Sequence, residues 1–158
     1  MLKVLITLFA IIGLVIPTVV TAKNIEITQP WSKAVPPTSN VAAAFLSIIN
    51  HGNIDDTLIA VHSPIAQVAE LHTLNNNNGL MQMRQVKAIN ITANQQQQLA
   101  PGGFHVMLVN LTEVPTLNSH FPLTLTFKHA GDITVSVAVK PATYTSNGHN
   151  EQQNVLHH

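Results

Sequence analysis

Apolar residues in this chain come in short bursts rich in Val, Ile, Leu and Thr, cut apart by Pro, Gly and Asn, and several bursts alternate apolar with polar positions. Alternation with period two marks half-buried strands. Strands are predicted over Ile25–Thr28, Val41–Ile49, Asp56–Val61, Gln67–Leu74, Leu80–Gln85, Gln97–Leu99, Phe104–Leu108, Leu123–Lys128 and Ile133–Val139. Residues that accept turn dihedrals fill the breaks: Pro36-Pro37, Asn50 to Asn53, Asn75 to Gly79, Pro101 to Gly103 and Ala130 to Asp132. Short strands at this spacing predict an all-β sandwich in one domain. The polar tracts Asn75–Asn78 and Gln95–Gln98 read as a hairpin loop and a polar strand or connector.

The first burst differs from the rest. A lone Lys3 precedes an apolar run from Val4 to Ile16, Pro17 breaks it, and Val20-Thr21-Ala22 supplies small residues. The run has the length of a signal-peptide core and is too short to span a bilayer. Cleavage is expected after Ala22, with an exported domain over 23–142 and a flexible tail over 143–158 carrying His149, His157 and His158. No membrane insertion is expected once the leader is removed. With seven basic and seven acidic residues the chain is near neutral, which argues against nucleic acid or anionic lipid as a partner. The absence of cysteine removes disulfides, thiol redox chemistry and the thiolate-bearing blue-copper site.

The distribution of methionine adds candidate chemistry. Beyond Met1 the chain has only Met81, Met83 and Met107, all within 27 residues of one another, with His105 among them and His72 just upstream. His72, ten residues, Met83, twenty-one residues, His105, one residue, Met107 is a set of imidazoles and thioethers without thiolate or carboxylate. Neutral, polarisable sulfur favours Cu(I), whereas hard oxygen donors would favour calcium or magnesium. On a strand, His105 and Met107 share a face while Phe104, Val106 and Leu108 point into the core. A hairpin at Asn75–Gly79 brings Met83 near His72, with Met81 beside it as a packing neighbour. Spacing does not say whether that hairpin meets the His105 strand. Two readings stay open on the residues alone, a copper site and a sandwich whose methionines only pack.

The segment from His72 to Met107 resembles the periplasmic copper chaperone family called PCuAC, whose motif is His-x10-Met-x21-His-x-Met. The similarity extends to Gln29-Pro30-Trp31-Ser32, Asn40 to Gly52, Asp55 to Leu58, Ser63-Pro64, Glu70-Leu71-His72 and Pro101 to Leu108. Thr73 departs from the methionine that many members carry after the first histidine. The resemblance implies a cupredoxin-like (immunoglobulin-like) Greek-key β-sandwich that binds one Cu(I) through His72, Met83, His105 and Met107 at an exposed edge. It also implies delivery to the copper centre of cytochrome c oxidase subunit II or to a Sco-type chaperone in the periplasm. Some relatives take up Cu(II) on a C-terminal extension, for which the tail histidines are the candidates. Trp31 is read as a core or edge anchor, and His51, His62, His120 and His129 as surface or structural residues.

A monomeric binding and transfer protein without catalysis is therefore expected. No carboxylate pair or nucleophile motif supports a copper oxidase or oxygenase. A metal-free secreted interaction sandwich and a copper storage or tolerance protein are the competing readings.

Overall fold

The structure, a computed structural model, describes residues 24–77 and 79–145. The expected leader over 1–22 and the tail histidines at 149, 157 and 158 lie outside the described residues.

Ten strands build the domain: β1 (Ile25–Lys33), β2 (Val41–Asn50), β3 (Asp56–His62), β4 (Ala66–Asn77), β5 (Leu80–Gln85), β6 (Ile89–Ile91), β7 (Gln96–Leu99), β8 (His105–Leu111), β9 (His120–Phe127) and β10 (Gly131–Lys140). Hydrogen bonding joins them in the order β5-β4-β8-β2-β1-β10-β9-β3-β6, with β7 also on β2. Strand β1 is the hinge of this continuous sheet, antiparallel to β2 along its length and parallel to β10 only over Trp31–Lys33. The sheet thereby folds into two layers, and apolar faces fill the space between them. Ala42, Ala44, Leu46, Ile48, Leu71, Val106 and Leu108 come from one layer; Leu58, Leu123, Leu125, Phe127, Val137 and Val139 come from the other. The expected all-β sandwich is the fold observed.

Local differences from the predicted strands have physical causes. Strand β1 runs on through Pro30 because Gln29 and Pro30 form a bulge between the pairs Thr28↔Ser47 and Trp31↔Phe45. Gln29 takes a left-handed φ of 49° there, and a bulge tolerates a proline that cannot donate to the ladder. The extra residue reverses the alternation. Ile25 and Ile27 lie on the rungs of the inward-facing Asn50 and Ile48, whereas Trp31 lies on the rung of Phe45, on the outer face. Strand β6 has only three residues, too few for alternation to announce it. The turn at Asn75–Gly79 is tighter than predicted: Asn77 pairs with Leu80, and Gly79 adopts φ 85°. Residues 143–145, assigned above to the tail, include Tyr144, whose ring meets Trp31 edge-on at 4.8 Å.

Candidate metal centre

Strand pairing supplies the contact that spacing could not. Strand β4 pairs with β8 so that His72 lies directly opposite His105, with Glu70 opposite Met107. Directly opposed residues in an antiparallel pair point to the same side. All four therefore project from the outer face, while Leu71, Val106 and Leu108 are buried on the inner one. The imidazole centroids are 5.8 Å apart.

The rung bearing the two histidines continues across the layer. Gln85 of β5 faces His72, and beyond His105 come Phe45 of β2, 6.3 Å away between ring centroids, and Trp31 of β1, 4.6 Å from Phe45. This aromatic wall shields one side of His105, which is only 5% exposed despite its place on the outer face. Trp31 is the buried anchor of that wall.

The methionines stand on opposite sides of the histidine rung. Met107 is two residues beyond His105 on the same face of β8 and is partly buried. Met83 is paired with Leu74, which places it on the same face but diagonal to His72, in the direction away from Met107. All six residues of β5 are exposed, and Met83 is 49% exposed. Three of the four candidates, His72, His105 and Met107, are thus immediate neighbours, whereas Met83 reaches the rung only from the edge strand. Met81 pairs with Asn76 still farther out on β5 and is 52% exposed. β5 is the edge strand of the sheet.

Hydrogen bonds define the free atoms of the two rings. His105 Nδ1 lies 3.0 Å from the Gly103 carbonyl, which can only accept, so Nδ1 carries the proton and Nε2 presents its lone pair. His72 Nε2 lies 2.8 Å from Glu70 Oε2, so there the proton sits on Nε2. The other nitrogen of His72, Nδ1, is buried and has no hydrogen-bond partner, the one such side-chain atom among the described residues. An unpaired buried polar atom costs about 1–3 kcal/mol, so a sheet that keeps one beside a second imidazole and a thioether fits a soft cation. Glu70 stands in the sequence as an ordinary polar residue two positions before His72. Its partnership with His72 was missed, although the i, i+2 spacing on one strand was the available signal.

No three His, Cys, Asp or Glu side chains gather to hold a metal ion among the described residues. His51 pairs with Glu26 at 2.6 Å on the surface, and His62, His120 and His129 are exposed.

Comparison with known proteins identifies the family and the fold. The family model described as LpqE-like matches residues 25–139. The Leifsonia xyli protein Lxx21020, named as a lipoprotein, is 30% identical over 120 residues, covering 75% of this chain and 71% of its own length. Among solved structures, the copper-bound PCuAC domain from PmoF2 superposes with a TM-score of 0.65 at 26% identity, over 75% of this chain and 93% of that domain. The Cu(I) form of DR1885 from Deinococcus radiodurans gives 0.58 at 25% identity, over 75% and 77%. The architecture is accordingly that of the PCuAC domains, a cupredoxin-like β-sandwich.

Proposed function

Because this chain belongs to the LpqE-like family and is similar to PCuAC domains solved with copper, we propose that it is a periplasmic copper chaperone that carries Cu(I) on His72, Met83, His105 and Met107. The observation that carries this reading is the opposed His72–His105 pair with Met107 beside it and an unpartnered His72 Nδ1 turned away from Glu70. Two imidazoles and two thioethers form a neutral set, which stabilises Cu(I) over Cu(II) and limits redox cycling in an oxidising compartment.

Placement on an outer face suits transfer. A partner's ligands can enter as Met83, on the exposed edge strand, leaves; His72, His105 and Met107 hold the ion until the exchange is complete. The recipients proposed are cytochrome c oxidase subunit II and a Sco-type chaperone, and no reaction is catalysed. Export through the leader at 1–22 is part of the proposal, supported by the lipoprotein naming of the relative. This chain has no cysteine, so any lipid on that relative does not transfer here through a thiol. A weaker Cu(II) site on His149, His157 and His158 is proposed for the tail.

X-ray absorption at the copper edge of the anaerobically loaded protein tests the ligand set. Mixed nitrogen and sulfur scattering is expected. A shell of nitrogen and oxygen alone would remove the methionines from the site.

A further inference from the structure

The proton positions on the two rings differ, and they differ because of what each ring is tied to. His105 gives its Nδ1–H to the Gly103 carbonyl at 3.0 Å; His72 gives its Nε2–H to Glu70 at 2.8 Å. A carbonyl and a carboxylate oxygen can only accept, so neither arrangement works with the tautomer reversed. What remains for a cation is Nε2 on His105 and Nδ1 on His72, the latter buried and unpartnered.

We infer that Glu70 is a positioning residue that selects Nδ1 of His72 as the copper donor, so that copper is held through unlike nitrogens, Nδ1 of His72 and Nε2 of His105. This rests on the copper reading above. The ring-bound carboxylate does three things. It fixes the tautomer, it fixes the rotation of the imidazole, and it raises the electron density on the free nitrogen. The choice of nitrogen also sets depth. Nδ1 is bonded to the ring carbon that carries the side chain and Nε2 lies at the far end of the ring, so His72 offers its donor close to the sheet while His105 reaches outward from the neighbouring strand. A site of this depth lies beneath Met83 on one side and Met107 on the other, which is where the register puts the thioethers. Glu70 itself is on the rung of Met107, with its side chain 29% exposed, and its oxygen is occupied by the ring. It contributes a negative charge near the cation without serving as a ligand.

Long-range proton–nitrogen correlation spectra of the full chain labelled with 15N-histidine, with His72 and His105 assigned through His72→Gln and His105→Gln, read the tautomers directly. Before copper, His72 is expected to carry its proton on Nε2 and His105 on Nδ1. One equivalent of Cu(I) is expected to move the Nδ1 signal of His72 and the Nε2 signal of His105, leaving each protonated nitrogen in place. In Glu70→Ala, His72 should lose its single tautomer and Cu(I) affinity should fall about 10- to 100-fold. Glu70→Gln, whose amide oxygen still accepts, should fall between the two. A copper-induced shift at His72 Nε2, or a Glu70→Ala variant with unchanged tautomer and affinity, overturns the inference while leaving the chaperone reading intact. Silence of both rings on Cu(I) addition overturns the copper reading and the inference together.

Discussion

Single side chains hold this fold at places remote from the metal centre. The Asp56 carboxylate accepts backbone N–H groups of Thr57, His129 and Ala130 at 2.7, 3.0 and 2.9 Å, tying the start of β3 to the turn between β9 and β10. Burial works against its ionisation, but the backbone donors of His129, Thr57 and Ala130 outweigh it and hold its pKa below the ordinary carboxylate value. A depressed folded-state pKa stabilises the protein above the unfolded value of about 3.9, and this contribution is lost as pH falls through the lower folded value. Chemical denaturation should therefore show a stability loss below about pH 4 that is smaller in Asp56→Asn, with the variant destabilised at neutral pH by about 1.5–3 kcal/mol through its lost charge-assisted hydrogen bonds. Asn50 has a parallel role. Its side chain donates to the Ile54 and Ile91 carbonyls at 2.9 and 3.1 Å and accepts from Gly52 N–H at 2.9 Å. In Asn50→Ala the carbonyls lose a partner, and an equilibrium unfolding curve should report a loss of about 1–3 kcal/mol.

At the scale of elements, β5 and β8 make a contrast that bears on function. Strand β8 lies between β4 and β2 with Val106 and Leu108 fully buried, whereas β5 is an edge strand exposed along its whole length. Local opening free energy follows burial and pairing. Amide hydrogen exchange should therefore be fastest in β5 and slowest in β2 and β8, and Cu(I) should slow β5 selectively if Met83 closes over the histidines. The same asymmetry predicts unequal methionines. Met107→Leu should weaken Cu(I) binding more than Met83→Leu, because Met107 is already beside His105 and Met83 has to be ordered with its hairpin; paired titrations of the two variants compare them.

These elements also mark where the sequence was legible. Within one strand, period two placed His105 and Met107 on one face and Val106 and Leu108 on the other, and the structure has them so. Within one hairpin, the Asn-Gly turn paired β4 with β5. Between distant strands, no local pattern encodes register: that His72 meets His105, rather than a residue two positions away, follows from how β8 inserts between β4 and β2. The bulge at Gln29–Pro30 was hidden for a related reason, since a proline reads as the end of a strand until the partner strand is seen to accommodate it. The thioethers and imidazoles were visible as types. The carboxylate that orients one of them was not, because Glu70 looks like any polar residue on a half-exposed strand.

For the whole molecule, the sandwich separates stability from cargo. The apolar faces meet between the layers, and the histidine rung lies outside them on the β5-β4-β8-β2-β1 layer, so the site can change without emptying the core. Leu108→Ala, on the inner side of the strand that carries Met107, should cost about 2–5 kcal/mol in unfolding free energy. Met107→Leu, on the outer side, keeps an apolar side chain of similar size and should cost less than about 1.5 kcal/mol. The most direct test of the account is an anaerobic Cu(I) titration of the chain truncated after Thr145, against a chromophoric chelator, beside a variant carrying both Met83→Leu and Met107→Leu. The account predicts one tight equivalent in the parent and an affinity lower by orders of magnitude in the variant at near-parental stability. Equal affinity in the two, or no tight binding by the folded parent, would contradict it.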